Sequence, residues 1–293
     1  MAAREHQVLT ADGRRLWVLE RGVPGGRAVL VHGGTPNSRL MFDPDVVRAE
    51  RHGVRVISYD RPGYGGSSRR EGRSVGDCAE DVRAIARALG ISRLGVWGIS
   101  GGGPHAIACA ALLPDLVSAV AVLASSAPWQ AEGLDYFAGM GELNVEDTQL
   151  LLADPVAARA KLEAEREEVL ALEPAELLAF LESLLAPVDA AAASGELAEY
   201  LVATNRSGLA PGCDGWWDDE LANLAPWGFA FESIRVPVQL WHGRHDRFVP
   251  FAHGQWLARH IPDVDAHLSD NDGHLTLTRN HLDEVYDWLL DRT

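Results

Sequence analysis

Gly98-Ile99-Ser100-Gly101-Gly102 sets one serine among small residues just after a short apolar run, with Gly103 and Pro104 following. Glycine-rich turns of this kind cradle phosphates, bind dinucleotides or present a nucleophile, and the neighbouring residues decide among them. A G-x-x-x-x-G-K-[ST] phosphate loop finds its glycine spacing in Gly98 and Gly103, but Pro104 and His105 stand where lysine and Ser/Thr are needed. A dinucleotide fingerprint can be aligned on Gly101, Gly103 and Ala106. It wants an acid about 20 positions on to hold a ribose, and the next strand ends in Leu123-Ala124-Ser125-Ser126 instead. The G-x-S-x-G nucleophile elbow fits at every position. A serine on a sharp strand-to-helix turn needs neighbours without bulk two residues to either side. Pro104 falls in the first helical turn, where a missing N–H costs no bond. The Gly101 N–H is then free to face a developing oxyanion, with the positive end of the helix behind it.

A nucleophilic serine needs a base, and the base needs an orienting acid. The chain has 11 histidines. His6 falls in an N-terminal hairpin, His52 at a helix end, and His260 and His281 in helices, while His105 follows the serine and is expected to pack. His274, in Asn271-Asp272-Gly273-His274, lies just past the last strand-like run, and Asp246 lies just past the run before it. Serine, acid, histidine is a chain order that serine hydrolases use. His242, His245 and Asp246 also spell an H-x-x-H-D pattern, but they straddle a strand end and a loop rather than one helical face, so no metal site is expected.

These residues sit at the ends of elements that the patterning defines. Residues 6–10 and 14–20 read as the two strands of a hairpin turning at Ala11-Asp12-Gly13. Buried strands follow at 28–33, 54–60, 93–98 and 116–125, separated by helical runs such as 74–90, which stops at Gly90. The alternation implies a parallel sheet covered on both faces. It breaks near residue 129 and resumes near 231, with strands at 236–243 and 264–269. Residues 130–225 between them hold 20 acidic against 4 basic residues, which accounts for the whole net charge of −16. The fold class expected is α/β, a doubly wound core of residues 1–129 and 231–293 interrupted by an acidic helical insertion, 130–230, whose acids are read as solvated faces. The insertion leaves and rejoins the core at the ligand end of the sheet, so it is expected to roof the crevice.

The motifs together resemble the α/β-hydrolase superfamily in its lid-bearing branch. They are His32-Gly33-Gly34 after a strand, Asp60-Arg61-Pro62-Gly63-Tyr64-Gly65-Gly66-Ser67-Ser68 after the next, the elbow at Ser100, Gly243 to Pro250, and Gly273-His274. The resemblance implies a mostly parallel eight-stranded sheet with a helical lid between strands six and seven. It also implies Ser100 as nucleophile, Asp246 as acid, His274 as general base, and the N–H groups of Gly34 and Gly101 as oxyanion hole. Asp60 and Arg61 are expected to shape the core. The chemistry expected is hydrolysis of a small carboxylic ester or lactone through an acyl-enzyme. Serine at position 100 counts against epoxide or haloalkane chemistry, which uses a carboxylate there.

Three alternatives stay open: an aminopeptidase resembling proline iminopeptidases, a carbon–carbon bond hydrolase acting on dicarbonyl products, and a non-catalytic ligand receptor on the same fold. Acids clustered with Trp216 and Trp217, namely Asp218, Asp219 and Glu220, favour the first. Thr35-Pro36 and Ile99 depart from that family's usual surroundings. Trp129, Met140, Trp216 and Trp227 are the candidates for lining a substrate pocket. No cofactor and no metal are expected, and the partner expected is a small-molecule substrate. A net charge of −16 argues against nucleic acid. No run of about 18 apolar residues argues for a membrane span, and no signal-peptide pattern is present, so a cytoplasmic location is the default. Cys78, Cys109 and Cys213 are odd in number and far apart, which suggests neither disulfides nor zinc. The sequence sets no oligomeric state.

Overall fold

The computed structural model describes residues 3–293. Among them, strands β1 (Arg4–Leu9), β2 (Arg15–Gly22), β3 (Arg27–His32), β4 (Val54–Tyr59), β5 (Leu94–Ile99), β6 (Val117–Leu123), β7 (Val238–Gly243) and β8 (Asp265–Ser269) form one sheet. Their spatial order is β1-β2-β4-β3-β5-β6-β7-β8. β1 and β2 are the expected hairpin, β2 also pairs antiparallel with β4, and every pairing from β4 to β8 is parallel.

Strands covered on both faces carry near-continuous apolar sequence, and β6, with all seven residues buried, is the extreme case. Val120 and Val122 of β6 pack toward α2 (Cys78–Ala88), α3 (Gly103–Leu112) and α10 (Phe251–His260). Ala119, Ala121 and Leu123 face α1 (Asp43–Arg51) and α11 (Thr276–Leu290). Because β4 and β5 flank β3 on opposite sides, the strand order reverses at β3/β5 and opens a crevice at their carboxyl ends. Gly33-Gly34 and Ser100 follow those two ends directly.

Between β6 and β7 the chain runs through α4 (Glu142–Ala153), α5 (Pro155–Ala171), α6 (Leu177–Phe180), α7 (Pro187–Ala192), α8 (Glu196–Leu209) and α9 (Asp214–Leu224). Asp154 starts α5 by accepting the Val156 and Ala157 N–H groups at 3.1 and 3.0 Å, with Pro155 in the first turn. Many of the segment's acids are solvated, Glu163, Glu167 and Glu168 among them. Asp189, Asp218 and Asp219 break that expectation, with exposures of 0, 2 and 0 %. Asp218 and Asp219 explain why residues 212–229 show no helical period although α9 forms there. Its inner face is polar and pairs with arginines, so no apolar stripe marks it. Among the described residues no helix is long and apolar enough to cross a membrane.

Candidate active site

Ser100 follows the last residue of β5 and holds φ of +54°, a left-handed conformation that costs a non-glycine residue about 1–3 kcal/mol. The turn is tight enough that its flanking positions exclude side chains. A Cβ on Gly98 would lie 2.8 Å from the Ala106 Cβ, and one on Gly102 would lie 2.6 Å from the Gly33 carbonyl oxygen. His105 packs as expected: its Nδ1 donates to the Gly101 carbonyl at 2.9 Å, and its ring stacks on His32.

Asp246, in the loop after β7, accepts the N–H groups of Phe248 and Val249 on Oδ1, both at 2.9 Å. Its Oδ2 takes the His274 Nδ1–H at 2.8 Å, which fixes the ring's tautomer and leaves Nε2 as the basic nitrogen. The His274 ring also stacks on Phe248 with 4.5 Å between centroids. Burial works against a charged imidazole, but the Asp246 carboxylate outweighs it, so the pKa of His274 is raised. Ser100, His274, Gly34 and Gly101 line one cavity of ≈ 360 Å³.

The H-x-x-H-D residues do not converge. His242 is fully buried and donates through Nε2 to the Val249 carbonyl at 2.9 Å, whereas His245 is exposed. The trio His32, Cys78 and Cys109 does bring potential ligand atoms within 4.8 Å of one another. All three are buried, Cys78 Sγ donates to the His105 carbonyl at 3.4 Å and Cys109 Sγ lies 3.5 Å from His32 Nε2, while burial pushes His32 far down and Cys78 far up.

Opposite the elbow, the turn after β3 is held from beneath. Gly34 stands so close that a Cβ on it would lie 3.4 Å from the Ser100 Cβ. Arg61 donates to the carbonyls of Gly33 and Gly34 at 2.5 and 3.2 Å and to Thr35 Oγ1 at 3.1 Å. Its counter-charge is Asp219 of α9, at 2.6 Å, and Arg73 closes on the same carboxylate at 2.6 Å. Tyr64 and Thr35 add hydroxyl donors to Asp219 at 2.8 and 3.0 Å. Burial would raise the Asp219 carboxyl, yet the two guanidinium groups drive it far below the usual carboxylate range. Asp60 is buried too, accepting from the Arg39 backbone and side chain at 2.6 and 2.7 Å.

A family model described as the alpha/beta hydrolase fold matches residues 27–278. The chain belongs to the alpha/beta hydrolase family. A relative, the AB hydrolase superfamily protein YisY of Bacillus subtilis (strain 168), is 28 % identical over 259 residues, 87 % of each chain. The bifunctional esterase/perhydrolase DCH of Acinetobacter calcoaceticus is 30 % identical over 41 % of this chain and 44 % of its own. The solved structure of the esterase EaEST from Exiguobacterium antarcticum superposes with a TM-score of 0.68 at 19 % identity, covering 98 % of both chains. With esterases among its relatives, the protein is an enzyme of the hydrolase class.

The hydrolase's cavity is lined mostly by apolar side chains and has a polar end where Asp147, Lys161 and Glu165 meet. Met140 and Trp216 line it, but Trp129 and Trp227 do not. Trp227 is a core residue at 4 % exposure, packed on Phe229 and Phe231, and Trp129 stands behind Tyr136 with 5.0 Å between ring centroids. At the polar end Lys161 is 3.3 Å from Glu165 and also ion-paired with Asp147. Glu220 lies there as well, its pKa pushed up to about 7 by burial and then by Asp219 nearby. The sequence pointed to the Ser100, Asp246 and His274 ends of the sheet. It singled out Asp218 and Asp219 as acids that could meet a substrate's amino terminus, whereas Asp218 pairs with Arg69 and Asp219 with Arg61 and Arg73; it missed Arg73 and Asp189 altogether.

Proposed function

We propose that this enzyme is a serine hydrolase that cleaves a small carboxylic ester or lactone through an acyl-enzyme on Ser100. The observation that carries the reading is the Asp246–His274 hydrogen bond together with a serine in left-handed conformation, His274 and Ser100 both opening on the cavity that Gly34 and Gly101 also line. Ser100 Oγ attacks the substrate carbonyl as its proton passes to His274 Nε2. The N–H groups of Gly34 and Gly101 take the negative charge that develops on the carbonyl oxygen. His274 then gives its proton to the leaving alkoxide. A water attacks the acyl group, loses a proton to His274 and frees Ser100 as the acid departs. The cavity's apolar stretch, with Phe248 and Met140, suits a hydrocarbon acyl or alkyl group. Residues 130–230 act as the lid, since α4, α5, α6, α8 and α9 supply much of the cavity wall.

A second reading, an aminopeptidase, draws on the carboxylates of Asp147, Glu165 and Glu220 at the cavity's polar end, which outnumber Lys161. Turnover of p-nitrophenyl acetate and butyrate beside proline 4-nitroanilide separates the two. The ester reading expects fast release from the esters and loss of at least about 10³-fold in Ser100→Ala. A clear preference for the anilide reverses the ranking. Equal ester rates in wild type and Ser100→Ala would leave only a binding role.

A further inference from the structure

Asp189 of α7 is wholly buried, with 0 % exposure, and among the described residues no salt bridge reaches it. Its carboxylate instead reaches the turn that carries His274. Oδ2 accepts the His274 backbone N–H at 2.7 Å, and Oδ1 accepts the N–H groups of Leu275 and Thr276 at 2.9 and 3.1 Å. The Thr276 hydroxyl adds a contact at 3.3 Å. These N–H groups begin α11, where no intrahelical carbonyl can accept them, and the helix's positive end compensates the carboxylate. The approach is close: a Cβ on Gly273 would overlap the Asp189 carboxylate, so the residue before His274 has to be glycine.

We propose that Asp189 is a positioning residue for the general base: a carboxylate from the helical segment between β6 and β7 clamps the backbone of His274. The inference rests on the serine-hydrolase reading and goes beyond it. Asp246 fixes the ring of His274 through Nδ1, and Asp189 fixes its main chain from the opposite side. The base is thereby held at two points, one on the core and one on the segment that roofs the cavity. The titratable groups facing His274 are Asp246 and His242 from β7 and its following loop, and Asp189 from α7. His242 stays neutral through burial, so the two carboxylates supply the negative charge that supports an imidazolium.

Asp189→Asn keeps the shape of the clamp while removing its charge and turning one acceptor into a donor that faces an N–H. The assay is the rate at which a fluorophosphonate labels Ser100 between pH 5 and 9, with His274→Ala alongside and melting temperatures recorded. The expected result is labelling about 10- to 100-fold slower in Asp189→Asn, the weight of lost hydrogen bonds to a charged acceptor. The pH midpoint of labelling should also fall, and KM for p-nitrophenyl esters should change little while kcat drops. A variant that melts earlier but labels at the wild-type rate with the wild-type midpoint would reduce Asp189 to a helix cap and overturn the proposal. Labelling as fast in His274→Ala as in wild type would overturn both the proposal and the hydrolase reading beneath it. Should Asp189→Asn not fold, amide hydrogen exchange in the wild-type enzyme decides. The N–H groups of residues 274–276 are expected to be strongly protected, and exchange at free-peptide rates would refute the clamp.

Discussion

Replacing Asp219 by asparagine should be among the most destabilising single changes in this protein. The side chain is 0 % exposed and pairs with Arg61 and Arg73, each 3 % exposed, at 2.6 Å. Solvent therefore screens none of the three charges. The substitution preserves volume and leaves two guanidinium groups in the interior without a counter-charge. Breaking a buried pair in this one-sided way costs about 3–5 kcal/mol, a large share of the roughly 5–15 kcal/mol that holds a domain folded. With a urea dependence of about 1–3 kcal/mol per M, the unfolding midpoint should fall by roughly 1–5 M. The pH dependence follows from linkage. Asp219 has a folded pKa far below its unfolded value, so its contribution is fully present above the unfolded pKa and is lost as pH falls toward the folded one. The gap between wild type and variant should accordingly be flat between pH 5 and 8 and shrink in acid. Urea unfolding across that range is the assay. A loss below about 1 kcal/mol, the worth of an exposed pair, would refute the buried-network reasoning. So would a gap that widens in acid.

Three further outcomes are expected. Asp246→Asn removes the acceptor of the His274 Nδ1–H and should lower ester kcat by about 10³- to 10⁴-fold with little change in KM, measured with p-nitrophenyl butyrate. Glu220→Gln should raise the melting temperature more at pH 8 than at pH 5. The folded pKa of Glu220 is raised to about 7, so ionising it costs stability as pH climbs through that value. Met140→Trp narrows the cavity at a residue that lines it. It should raise KM for longer acyl esters more than for acetate.

What was legible in the sequence was whatever the backbone has to do locally. Gly98 and Gly102 mark the elbow because the chain there leaves no room for a Cβ, and the apolar run of β6 marks a strand with no exposed face. Asp246 and His274 could be found because a strand must end before each, which places both at the ligand end of the sheet. Residues that act across the fold left no such trace. Asp219 lies 158 positions from Arg61, and Asp189 lies 85 positions from His274. Asp189 looked like one more solvated acid and Asp219 like a possible substrate ligand, because tertiary pairing rather than periodicity turns their side chains inward. Trp129 and Trp227 failed as pocket residues for the opposite reason. Large aromatics find packing partners wherever the core offers them: Trp227 packs on Phe229 and Phe231, and Trp129 on Tyr136, which itself lines the cavity.

The central claim is a covalent acyl intermediate on Ser100, and intact-protein mass spectrometry after rapid acid quench tests it most directly. Mixed with excess p-nitrophenyl butyrate, the wild-type enzyme should gain one butyryl group. Peptide mapping should place it on Ser100, the adduct should build up further in His274→Ala supplied with a reactive ester, and it should be absent from Ser100→Ala. Turnover with no adduct in any variant, or an adduct mapped to another residue and retained in Ser100→Ala, would contradict the account.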